Sequence, residues 1–553
     1  MPRPSSLAQF ASLLVTLGIT VSCSRTPPGV IALKLDREQC VSVGLFDVEG
    51  KLIAQPLAMK RLGPGVQEID CKAQTPPGRW SWRAVGYDPS SPELLAVLAG
   101  GVSDPARGDE LGAIAGGDAG PPCAVAADDQ AVFLGWRAAV EGAEIVAADP
   151  NGRVLWAHHH GPTKSGVYGL AAADGLVFVL GAGESEDSRA TFIYKLDART
   201  GAEVPWEGRE GRDIPLTALW GADPDPKLSR GDAIAARNGR LYVTFAGEQF
   251  IAALDAATGN YVITLTGPTP GQMALSTTPM TDPQNPGQMK VIDFGVCALA
   301  GNGLAYFVME HDPAWVMAST TRWLQDDERI AAIALTGDTM KTGNATIYTA
   351  LRDPHHQVQL RSVENAETFE KAVGKAGGRP ATGPWEADGL RDIQAIAVDA
   401  LGQLWVAEGD EQFGRFSVWR TDGKQGSLVR EFYGPLAAEP SPDMRDPLVV
   451  TTGDLQWKID RTTSGAELIA RLEKPIQPQP LPGELRDAAG LLLWAPSAET
   501  DTRLPSGTWR AWRGPDARAY GACTTRVGTR VYALPPVERA RMIGSGSVTI
   551  SGK

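Results

Sequence analysis

From residue 123 onward one phrase keeps returning: a small residue, then nine or ten positions later an aromatic inside an apolar strand. Gly169 leads to Phe178 in "GLVFVLG", Ala233 to Tyr242 in "GRLYVTF", Cys297 to Tyr306 in "GLAYFVM" and Ala395 to Trp405 in "GQLWVAE". Cys123 reaches Phe133 and Cys523 reaches Tyr532 by the same step. A second phrase follows the first, as in "IVAADPNGRVLW", "IYKLDARTGAEVPW", "IAALDAATGNYVITL", "SVWRTDGKQGSLVREF" and "LQWKIDRTTSGAELIARL". Each is an apolar strand, an Asp-led turn with glycine, and a closing strand. Four short strands in every unit of roughly 45–65 residues mark a β-propeller blade. Candidate starts lie near residues 123, 169, 233, 297, 330, 395, 446 and 523, with the fifth, seventh and last degenerate. The expectation is an all-β chain with a seven- or eight-bladed propeller over residues 123–553, one closed domain.

These blades resemble the NHL class of propellers, and the "LDARTG" and "LDAATG" turns are similar to those of quinoprotein-like propellers. The latter resemblance implies an oxidoreductase. Such enzymes carry an adjacent Cys-Cys pair beside the quinone, and this chain has none.

The start of the chain reads as an address. Arg3 supplies a short positive region, Leu7 to Val21 is an apolar stretch of 15 residues, and Ser22-Cys23 follows. The stretch is too short to span a bilayer as a helix, and its flanks fit a secretory signal over residues 1–23. It resembles a bacterial lipoprotein signal, which implies lipidation of Cys23, although Thr20 is uncommon in that motif and simple cleavage stays open. The expected location is the periplasmic face of a bacterial membrane or the cell surface, with the lipid as membrane partner.

Residues 24–104 form a separate module of alternating strands, "VIALKL", "VSVGLFDVEGKLIAQPL", "VQEIDC" and "GRWSWRAVGY". "VGLFDVEGKLI", "GPGVQEI" and "PPGRWSWRAVG" resemble the Ig-like domain of the flagellar hook-capping (FlgD-type) family, which implies a small Ig-like β-sandwich and no reaction. "CKAQT" replaces the Trp-Asp-Gly segment of that family. A Gly- and Pro-rich linker at 105–122 separates the module from the repeats.

Besides Cys23 there are Cys40, Cys71, Cys123, Cys297 and Cys523, an odd number, and no CxxC. Cys40 and Cys71 read either as two buried apolar thiols or, given export, as a disulfide, and Cys123 and Cys523 either as free thiols or as a clasp between the first and last blades. The small-residue slot makes Cys297 a buried thiol.

A net charge of −13 excludes a phosphate-backbone partner, because nucleic-acid binding needs clustered Lys and Arg. Strand bookkeeping places the six histidines on one propeller face: His158, His159 and His160 after blade one, His311 with Asp312, and His355 with His356. Glu408 and Asp410 join them from the loop that follows Trp405. Imidazole and carboxylate suit a divalent metal, so His311, Asp312, His355, His356 and Glu408 are the candidate ligands. No HExxH and no GxSxG supports a specific hydrolase. In "GKAGGRPATGPWEADGLRD", Arg379, Trp385 and Arg391 could stack on and hydrogen-bond a peptide or glycan, with Glu408 and Asp410 as further ligand candidates; alternatively Trp385 packs onto the propeller rim and the arginines pair with nearby carboxylates. The reading is an exported binding or scaffolding platform for an envelope protein, peptide or glycan; the alternative is a propeller-type hydrolase or lyase on the same face.

Overall fold

The computed structural model describes residues 27–550 except 74, 88–91, 99–121, 138–143, 161–165, 183–191, 220–230, 246–249, 267–269, 282–288, 300–302, 310–315, 325–327, 337–344, 364–367, 410–413, 423–424, 434–437, 441–445, 447, 453, 461, 463–464, 474–482, 497–506, 515, 517, 526–527 and 535–540. Between 265 and 323 it describes mainly the backbone. The described residues are strands and turns with no α-helix.

The Asp-led phrase is an Asx turn, in which the side chain takes over the amide bonds of the reversing backbone. Asp197 Oδ1 accepts the amides of Arg199 (3.1 Å) and Thr200 (2.9 Å), and Asp255 Oδ1 that of Thr258 (2.9 Å). The closing glycines, Gly201 (φ 69°) and Gly259 (φ 65°), take the left-handed conformation that side chains resist. At Trp405 the same device does more: Asp399 Oδ1 caps the turn while Oδ2 accepts the indole Nε1 at 2.8 Å.

Six four-stranded antiparallel sheets follow in chain order: blade one (122–158), two (166–215), three (231–266), four (270–323), five (330–373) and six (393–433). Their innermost strands, Pro122–Ala127, Gly166–Ala173, Gly231–Arg237, Pro270–Thr281, Ile330–Thr336 and Ile393–Val398, pack each on the next. The last returns to the first, so the ring closes. This is a β-propeller, and its closure rests on packing between blades six and one. Trp136, Val146 and Ala148 share a core there with Trp405, Phe416 and Phe432. Gly414 lies so close to Pro122 that a Cβ would stand 2.4 Å from its ring.

Among the described residues the ring is made of six four-stranded sheets, where seven or eight blades were expected. Cys297 sits on the second strand of blade four, Met289–Leu299, and the innermost strand Pro270–Thr281 went unread because Pro279 and its Ser/Thr content suggest a loop. Proline is tolerated there because an innermost strand is a sheet edge. The Cys297 side chain lies outside the described residues. The starts near 446 and 523 are not blades. Val449–Thr452, Leu455–Asp460 and Gly465–Arg471 join Ala438–Pro440 and Gly383–Pro384 in a five-stranded sheet. Thr508–Arg513, Ala519–Thr525 and Gly528–Ala533 join Glu93–Leu98 in another. The two sheets share one core, Val450, Leu455, Trp457 and Leu468 against Leu95, Trp512, Tyr520 and Val531. Any antiparallel hairpin satisfies the strand–turn–strand phrase, so these sheets mimic blades in sequence.

The chain divides into two compact units: 1–90, 485–502 and 539–553 form one, and 91–484 with 503–538 the other. The first is therefore not the single interval 24–104. Its strand Gly78–Tyr87 takes Arg541–Ile550 as a neighbour from the far end of the chain, while Glu93–Leu98 belongs to the second unit. Its core collects Ile31, Leu33 and Ile69 from one sheet and Val43, Leu45, Ala84 and Val548 from another.

Cys71 and Cys123 carry free thiols, so neither the Cys40–Cys71 bridge nor the Cys123–Cys523 clasp forms. Cys523 lies on Ala519–Thr525, outside the ring, which removes the neighbour relation the clasp required. Cys123 does occupy the innermost strand of blade one, where its thiol donates to the Val167 carbonyl.

Candidate metal centre

The outermost strand of blade one, Val154–His158, alternates its side chains, so Trp156 and His158 face blade two. Trp156 packs on the Asp197 turn, where its Nε1 donates to the Ala198 carbonyl at 2.9 Å. A Cβ on Gly201 would lie 2.6 Å from that indole, which adds a reason for glycine there. Two residues on, His160 repeats the orientation of His158. His159, between them, pairs instead with buried Glu144, Nδ1 to Oε1 3.2 Å.

Blade two supplies the carboxylates. Glu203 follows the turn and bridges back to Leu196, and Asp213 precedes the outermost strand Ile214–Pro215. Glu203 Oε1 stands 3.0 Å from His160 Nδ1 and 3.6 Å from His158 Nε2. Asp213 Oδ2 stands 3.2 Å from the other nitrogen of His160. The Arg212 guanidinium donates to Glu203 Oε2. Tyr194 lies under His160, ring centroids 4.1 Å apart and nearly parallel, and fixes its plane. Among the described residues, His158, His160 and Glu203 are the one group of three whose ligand atoms converge, all within 4.8 Å.

The two imidazoles are driven apart electrostatically. Burial holds His158 below the usual imidazole range despite the pull of Glu203. The hydrogen bond to Asp213 raises His160, with Glu203 adding to it and burial opposing. Burial raises Glu203, but the bonds from Arg212 and His160 outweigh it and hold the carboxyl below its ordinary value. The site thus presents an ionised carboxylate, a neutral imidazole and a second imidazole oriented by its own carboxylate.

The ligand candidates drawn from the sequence that the structure describes lie elsewhere. His311, Asp312 and Asp410 are outside the described residues. Glu408 is fully buried and is neutralised by two arginines: Arg379 Nη1 donates to Oε1 and Arg415 Nη1 to Oε2 at 3.0 Å. The Arg391 amide (2.8 Å) and the Ser417 hydroxyl (3.2 Å) complete its shell. Arg379 and Arg415 lie 4.8 and 5.4 Å from the Trp385 ring centre, so the stacking expected for a ligand is intramolecular. Trp385 itself packs on the core of the two companion sheets, and its amide donates to the Ile469 carbonyl at 2.9 Å. Arg391 is half-buried and donates to the Arg379 carbonyl at 3.2 Å. Segment 374–392 is therefore a brace between propeller and companion sheets. His356 is buried against it, beside Gly378, with Nε2 3.5 Å from Asp353, and its neighbour His355 is half-buried. The expected metal set thus shares a neighbourhood in part, but Glu408 is already committed to arginine. Glu203 and Asp213 escaped sequence reading because a lone Glu or Asp beside a polar turn carries no spacing signal.

No protein-family model matches the chain, and no curated protein is significantly similar to it. Solved structures with similar folds include BamB from Moraxella catarrhalis, at 13% identity and TM-score 0.27 over 74% of this chain and 93% of that one. The Kuenenia stuttgartiensis hydrazine synthase is similar at 11% identity and TM-score 0.33, over 65% of this chain and 97% of that one. The SapL1 lectin in complex with alpha methyl fucoside is similar at 11% identity and TM-score 0.36, over 59% of this chain and 99% of that one. Likeness at this level carries no ligand or partner from one protein to another.

Proposed function

We propose that the protein is exported, held at the envelope through a lipid on Cys23, and acts as a binding platform for an envelope protein, peptide or glycan. The first unit is read as an Ig-like module of the FlgD type and the ring as an NHL-like propeller, each on its sequence resemblance. The observation that favours a platform over an enzyme is the state of Glu408. A general acid or base needs a proton to exchange and access to substrate. Glu408 lacks that access, being buried between Arg379 and Arg415. Its network serves rigidity, and rigid preorganised surfaces bind with less ordering cost.

The test is capture from native envelopes by the tethered full chain. Saturable recovery of one partner, together with a mature mass that begins at lipidated Cys23, supports the reading. An intact chain starting at Met1 would remove export and anchoring, and absence of any saturable partner would remove the platform.

A further inference from the structure

We propose that His158, His160 and Glu203 form a site for a divalent transition-metal ion at the outer edge between blades one and two. The proposal goes beyond the platform reading and does not depend on it.

The first argument is geometric. An ion bound tetrahedrally at about 2.0–2.1 Å from nitrogen and oxygen ligands separates neighbouring ligand atoms by roughly 3.3 Å. The two pairs that involve Glu203 Oε1 measure 3.0 and 3.6 Å, on either side of that value. All three ligand atoms lie within 4.8 Å, so side-chain torsions alone can draw them onto one ion.

The second argument is an orphan. His158 Nε2 is buried and has no hydrogen-bond partner among the described residues, although a carboxylate oxygen stands 3.6 Å away. The separation of His158 Nε2 and Glu203 Oε1 is too long for a good hydrogen bond and leaves room for an ion bound by both. A buried nitrogen left bare is otherwise destabilising.

The third argument is the surrounding shell. Metal-bound histidines usually give their second nitrogen to a carboxylate or carbonyl, which fixes ring and tautomer. Asp213 does this for His160. Arg212 donates to Oε2 of Glu203, so the oxygen that would meet an ion is Oε1, the one that faces His160 Nδ1 at 3.0 Å. Two imidazoles and one carboxylate, with further positions open to water or ligand, suit Zn²⁺, Fe²⁺ or Co²⁺ over Ca²⁺ or Mg²⁺, which prefer all-oxygen shells.

The experiment titrates chelator-stripped full-length protein with Co²⁺, read by its visible absorption, and then displaces it with Zn²⁺. One equivalent should give the spectrum of an ion held by nitrogen and oxygen ligands. His158→Ala and Glu203→Gln should weaken affinity at least tenfold, and Asp213→Asn by about 10–100-fold. His159→Ala should leave it unchanged, because that ring faces Glu144. Circular dichroism of each variant separates lost ligands from lost fold. The proposal is overturned if the wild type binds no stoichiometric ion, if folded His158→Ala and Glu203→Gln keep wild-type affinity, or if His159→Ala weakens binding as much as His158→Ala.

Discussion

Glu408→Gln removes one charge from the brace and almost no volume. In the native protein Oε1 accepts from Arg379 Nη1 and the Arg391 amide, and Oε2 from Arg415 Nη1 and Ser417 Oγ. A glutamine keeps one acceptor and turns an NH2 toward donors. Arg379, 2% exposed, and Arg415, fully buried, would then share a low-dielectric site with a neutral partner. Removing one member of a buried ion pair costs about 3–5 kcal/mol, because the charge left behind has lost its compensation. Arg415 retains Glu431 at 2.6 Å and the Ala387 carbonyl at 2.6 Å, which sets the expected loss at the lower end, about 3 kcal/mol. The assay is urea unfolding followed by tryptophan fluorescence, since Trp405 and Trp419 are buried in the same blade. Limited proteolysis within 374–392 gives a second readout, and cleavage there should accelerate. Lys375→Ala is the control: its pair with Glu386 is half exposed and screened by water, so its loss should change stability little. A loss below about 1 kcal/mol for Glu408→Gln, or one equal to the control, would refute the brace.

Three further outcomes follow from the packing. Gly259→Ala places a side chain at φ 65° with its Cβ 2.1 Å from Ile214 Cδ1, so thermal unfolding should show at least the about 1–2 kcal/mol cost of a left-handed residue; a neutral result would mean the turn relaxes freely. Burial pushes the Cys123 thiol up to about 12 and that of Cys71 to about 11, so at pH 8 both should resist alkylation until urea unfolds the chain. Peptide mapping should then find no Cys40–Cys71 or Cys123–Cys523 bridge, and either bridge contradicts the account. Truncation before Arg541 strips Val548 and Ile550 from the core of the first unit, at about 1.5–3 kcal/mol each, and should abolish its unfolding transition while the propeller's survives; persistence of both transitions would show that the last strand is dispensable.

The blades were legible because their determinants are local: a small residue at the axis, an aromatic in the second strand and an Asx turn each act within about a dozen residues. That is why 169–182, 233–245 and 395–409 read correctly. Blade four failed locally, through Pro279, and the sheets after 446 failed because hairpins outside a ring carry the same local pattern. Closure is invisible to any window, since it depends on blade six meeting residues about 270–290 positions earlier. The site followed the same rule. The His158–His160 alternation could be read from the strand, but its carboxylate partners lie 43 and 53 residues past His160 on the next blade. Trp385 and Arg379 stand out in the sequence because they stack, and their stacking partner is the protein itself.

The most direct test of the platform is the fate of what it captures. Ligand drawn from native envelopes should be recovered from the full-length protein in fixed stoichiometry and with unchanged mass, even after prolonged incubation. A captured species that returns cleaved or otherwise altered at a rate set by the protein would contradict the account and make the propeller an enzyme.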